Sequence, residues 1–146
     1  MNKLFSQCFL AQIDNNIRIG AIAVFGETKE QIVNQGAAAL KQIYSEREGY
    51  KNHGTTAYEI PEKLIRYALG SGKKFFCMAC MVIKGRRMFL SGGAMIEESQ
   101  DAAWEKGMKQ LLDAHPPDDG WNNHIVMAYE TPREILEEAL ATYQAL

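Results

Sequence analysis

The chain has 146 residues, 47% of them hydrophobic, which suits one compact domain with a sizeable core and argues against a disordered segment. Sixteen basic residues against eighteen acidic ones leave a formal charge of −2, so no general attraction to nucleic acid or to an anionic membrane is expected. Polar residues interrupt the opening run too early for a signal peptide or membrane span, and Cys8, Cys77 and Cys80 stand in apolar surroundings that suit reduced thiols. The expected compartment is the cytoplasm.

In chain order, residues 4 to 13 and 17 to 25 are rich in β-branched and aromatic types and flank Asp14-Asn15-Asn16, which predicts a β-hairpin. Thr28 stands three positions before Gln31 in a capping-box spacing, and Ile32, Gly36, Leu40 and Ile43 recur at helical intervals on one face, predicting a helix over about 28 to 46. A polar loop from Ser45 to Asn52 leads to a short strand, His53 to Glu59. Pro61 is then the expected first residue of a helix ending near Gly70.

The same steps recur. Phe75 to Lys84 and Arg87 to Met95 predict a second hairpin, Ser99 caps a helix to about Ala114, and Asn123 to Glu130 predicts the matching strand. Thr131-Pro132-Arg133-Glu134 opens the last helix. Sliding the sequence against itself by 71 positions pairs Gly49 with Gly120, Asn52 with Asn123, His53 with His124, Ala57 with Ala128, Tyr58 with Tyr129, Glu59 with Glu130 and Pro61 with Pro132. Fifteen identities fall in the overlap, where average composition would give roughly four to six.

These features predict an α+β fold, a tandem duplication of a ββαβα unit spanning 1–71 and 72–146 in one compact domain. Read from His53 onward, the order becomes the βαββαβ of ferredoxin-like folds. A mixed, mostly antiparallel sheet with helices chiefly on one face, the halves related by a pseudo-twofold axis, is the expected architecture. That topology hosts many functions and carries no chemistry by itself.

His53 with Glu59 and His124 with Glu130 share strand faces by period-two alternation, so two copies near an axis could supply an acid/base pair or a metal site. The simpler reading is structural: a histidine satisfying a loop carbonyl and a glutamate beside the next helix start, each needed twice. Cys77 and Cys80 have a two-residue spacing, but positions three apart on a strand face opposite sides, which favours buried small hydrophobes over a metal pair. Gly36 and Gly107 cost their helices about 1 kcal/mol each relative to alanine and suggest close backbone approach. Lys84-Gly85-Arg86-Arg87 reads as a solvated turn.

The halves differ most in methionine and tryptophan. Met78, Met81, Met88, Met95, Met108 and Met127 lie in the second half, with both Trp104 and Trp121. Methionine fills irregular apolar space, so Met78, Met81, Met88, Met95, Trp104, Trp121 and Met127 are the expected lining of an apolar pocket or interface. The expectation is a non-enzymatic binding protein for a small apolar or amphipathic molecule or a protein partner. It needs no cofactor or metal and involves neither nucleic acid nor membrane, while an exposed sheet surface would favour a homodimer. The alternative is an acid/base or metal-assisted enzyme using His53, His124, Glu59 and Glu130.

Overall fold

A computed structural model describes residues 2–144, so the outermost residues of the two halves, 1 and 145–146, lie outside the description. Strand β1 (Lys3–Ile13) turns through Asp14, at φ 52°, into β2 (Asn16–Gly26), the pairing running from Lys3 against Gly26 to Ile13 against Asn16. Helix α1 (Lys29–Ile43) starts where Thr28 Oγ1 accepts from Gln31 N at 3.1 Å, and Gln31 Oε1 reaches back to Glu27 N. Strand β3 (Tyr50–Glu59) then pairs with the free side of β1, and α2 (Glu62–Ser71) follows. The second half has the same order: β4 (Lys74–Lys84), β5 (Arg87–Glu97), α3 (Gln100–Ala114), β6 (Trp121–Thr131) and α4 (Arg133–Gln144).

The strands form two separate antiparallel sheets, ordered β2-β1-β3 and β5-β4-β6. This corrects the single mixed sheet expected from the sequence: the chain order from β3 onward is still β-α-β-β-α-β, but β3 is in one sheet and β4, β5 and β6 are in the other, so these strands do not form one ferredoxin-like sheet. Helices chiefly on one face are corrected too: α1 covers the outside of the first sheet and α3 the outside of the second, while the inner faces pack on each other. The physical cause lies in the central strands. Phe5 of β1 faces Ile32 and Ala57 under α1, while Leu4, Cys8 and Leu10 face the other sheet. Phe76, Met78 and Val82 of β4 likewise meet α3, while Phe75, Cys77, Ala79 and Met81 point inward. A strand apolar on both faces needs cover on both, and one helix layer supplies only one.

Strand β2 lies across β4 and β6, and β5 across β1 and β3. Two hydrogen bonds tie the layers, Ser6 Oγ to the Gly93 carbonyl at 2.8 Å and Tyr129 Oη to the Ile19 carbonyl at 3.1 Å. At Gly92 a Cβ would sit 2.8 Å from Cys8 Sγ, so the sheets approach through a missing side chain. Helices α2 and α4 pack together and close one end of the inter-sheet core with Ile65, Ala68, Leu136 and Ala139.

Several boundaries shift. Thr28, Pro61 and Pro132 precede their helices instead of starting them, and α1 ends at Ile43. The loop after it contains a 3-10 turn, Glu46–Glu48, capped by Ser45 Oγ and closed by Gly49 at φ 95°; a second such turn, Pro117–Asp119, ends at Gly120 with φ 90°. Among the described residues no helix is long and apolar enough to cross a membrane.

Candidate functional site

The Asn-His pairs make a backbone device. Asn52 and Asn123 adopt φ 56° and 55°, and at each the β-ladder slips: Leu10 pairs with Gly54 but Gln12 with Lys51, and Met81 pairs with Ile125 but Ile83 with Asn122. Two residues thus oppose one, a bulge that asparagine suits because its short polar side chain tolerates the left-handed region. Next to each bulge the imidazole reaches a carbonyl nine residues back: His53 Nε2 meets the Tyr44 carbonyl, and His124 Nε2 the His115 carbonyl at 2.7 Å.

The two histidines are not brought together. His53 shares its strand face with Ala57 beneath α1, and His124 shares its face with Val126 and Ala128 beneath α3, so they lie on opposite outer sides of the double sheet. Glu59 is ion-paired with Lys3 at 2.9 Å and Glu130 with Lys74 at 3.7 Å, both half-exposed at strand ends. Glu130 also borders an opening of about 370 Å³ between β2, β6 and α4, beside Cys77 and Tyr129. No cluster of three or more His, Cys, Asp or Glu side chains able to hold a metal occurs among the described residues.

The methionines and tryptophans are dispersed. Met81 is buried between the sheets and Met88 packs on that core, whereas Met78 is buried under α3 with Met95 beside it. Trp121 packs edge-on against Phe89 and His115, with Lys84 Nζ 5.0 Å from its ring centre. Trp104 and Met127 are exposed on α3 and β6. Cys77 faces the inter-sheet core and Cys80 the α3 side, as strand parity requires.

A wide apolar recess lies in the first half, between α1 and the outer face of β1 and β2. It holds about 400 Å³ and is lined by Gln7, Phe9, Ala21, Ile22, Gly36, Ala39, Leu40, Ile43, Tyr44 and Thr55. Its shape follows from two glycines. A Cβ on Gly36 would lie 1.7 Å from Gln7 Nε2, so only glycine lets α1 settle onto that side chain. A Cβ on Gly20 would lie 2.4 Å from the tip of Phe9, so the bare β2 backbone lets this ring lie across it. Helix α1 rests mainly on β3 and β1 and leaves the outer side of β2 open.

Tyr44, at the end of α1, stacks on Phe9 with ring centres 6.2 Å apart and meets Tyr50 edge-on. Ile22 and Ile43 stand at the rim of the groove, 59% and 66% exposed. The one polar feature deep in the wall is Gln7, 9% exposed. Its Nε2 donates to the Ile32 carbonyl at 3.0 Å and to Thr55 Oγ1 at 3.3 Å, and Thr55 Oγ1 donates to the Cys8 carbonyl.

The second half has a smaller counterpart of about 240 Å³ under α3, where Met78, Cys80, Gly93, Gln110, Ala114 and His115 stand 71 positions on from Gln7, Phe9, Ile22, Ala39, Ile43 and Tyr44. Cys80 replaces the Phe9 ring, the His115 imidazole replaces the Tyr44 phenol, and both rim isoleucines have gone. Burial pushes the Cys80 thiol up to about 11, so it is a poor nucleophile at neutral pH.

Sequence reasoning looked for the binding surface in the methionine-rich half and missed Gln7, Phe9, Ile22 and Tyr44. Apolar residues at both parities of β2, with Ile22 and Val24 opposite Ile19 and Ala21, were the available signal. Comparisons with protein-family models, curated proteins and solved structures give no match.

Proposed function

We propose that this chain is a non-enzymatic binding protein that takes a small apolar or amphipathic molecule into the groove beneath α1. The observation that carries the reading is that recess of about 400 Å³, walled by Phe9, Leu40 and Tyr44 and rimmed by exposed isoleucines. Its volume falls in the range of small-molecule sites, and burying Ile22 and Ile43 under a ligand would add roughly 25 cal/mol for each Å² of apolar surface covered. The methionine-lined recess under α3 is the lesser site, with Met78 and Met95 as its apolar contacts.

The setting for this reading is a tandem duplication, halves 1–71 and 72–146 forming one compact domain about a pseudo-twofold axis, in the cytoplasm. The near-neutral charge supports a partner other than nucleic acid. The test is fluorescence titration with the uncharged dye N-phenyl-1-naphthylamine. Saturable binding is expected, and Ala39→Trp, which fills the groove from α1, should remove it while melting as a folded protein. Absence of saturation, or equal binding by the filled variant, would end the proposal.

A further inference from the structure

Resting on the reading of the α1 groove as the ligand site, we infer that its ligand is an uncharged molecule with a ring-bearing apolar body and one hydrogen-bond donor, held by the Gln7 side-chain oxygen. Three observations lead there. The groove lining contains no acidic or basic residue, so an anionic or cationic group entering it would lose water without gaining a counter-charge. Phe9 and Tyr44 present stacked rings at one wall, a surface suited to a planar apolar body.

The third observation is a fixed and unfilled acceptor. The Ile32 main-chain carbonyl can only accept, so the Gln7 carboxamide must turn its nitrogen toward it, and Thr55 Oγ1 takes the second contact of that nitrogen. The oxygen is left over. Among the described residues His115 Nδ1 is the one fully buried side-chain polar atom without a partner. Gln7 Oε1 accepts no hydrogen bond from the described residues and is not fully buried, and Gln7 itself lines the groove, which leaves this oxygen to a ligand there. A ligand hydroxyl or N–H placed there completes a nine-tenths buried amide, whereas a ligand without a donor leaves its oxygen unpaired. The second half supplies the contrast: Met78 occupies the equivalent position under Gly107, with no acceptor to offer.

Calorimetric titration with three probes of one size tests this: 2-naphthol, 2-methoxynaphthalene and 2-naphthoate at pH 7. The intact protein should bind naphthol about fivefold more tightly than the methyl ether, the factor for a net hydrogen bond of about 1 kcal/mol, and reject the carboxylate by a further tenfold or more. Gln7→Met, which copies the second half, should lose the preference for naphthol, its affinities for naphthol and the methyl ether becoming equal. Equal affinities for naphthol and its ether, naphthoate binding as tightly as naphthol, or a preference that persists in a folded Gln7→Met each overturn the inference while leaving the groove as a binding site. If none of the three binds, the groove reading falls with it. Should Gln7→Met fail to fold, the ranking of the three probes by the unmodified chain decides.

Discussion

At the scale of single residues, the two helical glycines look alike in sequence and differ in what they face. A methyl group on Gly36 collides with the Gln7 amide, which must rotate out of two hydrogen bonds; one on Gly107 meets the flexible end of Met78, 2.9 Å away, and Val126 at 3.1 Å. Alanine also returns about 1 kcal/mol of helix propensity at either site. Gly36→Ala should therefore lose about 2 kcal/mol of stability, while Gly107→Ala should stay within about 1 kcal/mol of the parent. Urea unfolding of the two variants checks the order, and the reverse ranking would contradict the packing described for α1.

Each imidazole serves one loop carbonyl within its own half, so His53→Ala and His124→Ala should each cost about 1 kcal/mol, and the double variant should cost their sum within about 0.5 kcal/mol. A coupling well above that limit would mean that the two histidines communicate, as a shared site requires.

At the scale of elements, the sequence was most informative where local chemistry decides. Turn residues at Asp14 and Gly85, the Thr28 and Ser99 caps and the order of strands and helices were all legible, because each depends on a few adjacent side chains. The Asn-His pairs were legible as repeated features but not as bulges, since a bulge exists only against the partner strand, and β1 lies some forty positions earlier. The division into two sheets was illegible for a related reason: Phe5 and Cys8 show that both faces of β1 are apolar, yet not whether a helix or another sheet covers each. The groove depends on where α1 comes to rest. That position is set by contact between Gly36 and Gln7, residues 29 apart, and no periodicity reports it.

For the whole molecule, burial of the thiols has a consequence for alkaline stability. Burial raises Cys8 from the ordinary 9.0 to about 12 and Cys80 to about 11, and it also raises Cys77. In the unfolded chain these thiols ionise near pH 9, while in the fold they keep their protons, so the unfolded state binds fewer protons above that pH and stability falls as pH rises. The contribution is complete below pH 9 and lost progressively toward pH 11 to 12. Denaturant midpoints should decline across that window, and Cys8→Ala should make the decline shallower by about one proton. An unchanged slope would show that the Cys8 thiol plays no part in it.

The crossing of β2 over β4 and β6, and of β5 over β1 and β3, means that the inner wall of each half is the outer half of its neighbour's interior. The connection between halves passes through Gly72, whose surroundings are open, with nothing within 4 Å of where a side chain would begin. Severing the peptide there would leave every strand pairing intact and only the covalent tie missing. Two fragments, 1–71 and 72–146, mixed as separate chains should therefore find one another and assemble into the uncut structure, each serving as the template on which the other orders. Fragments that fold alone and remain apart in sedimentation would show that neither needs its neighbour's inner wall.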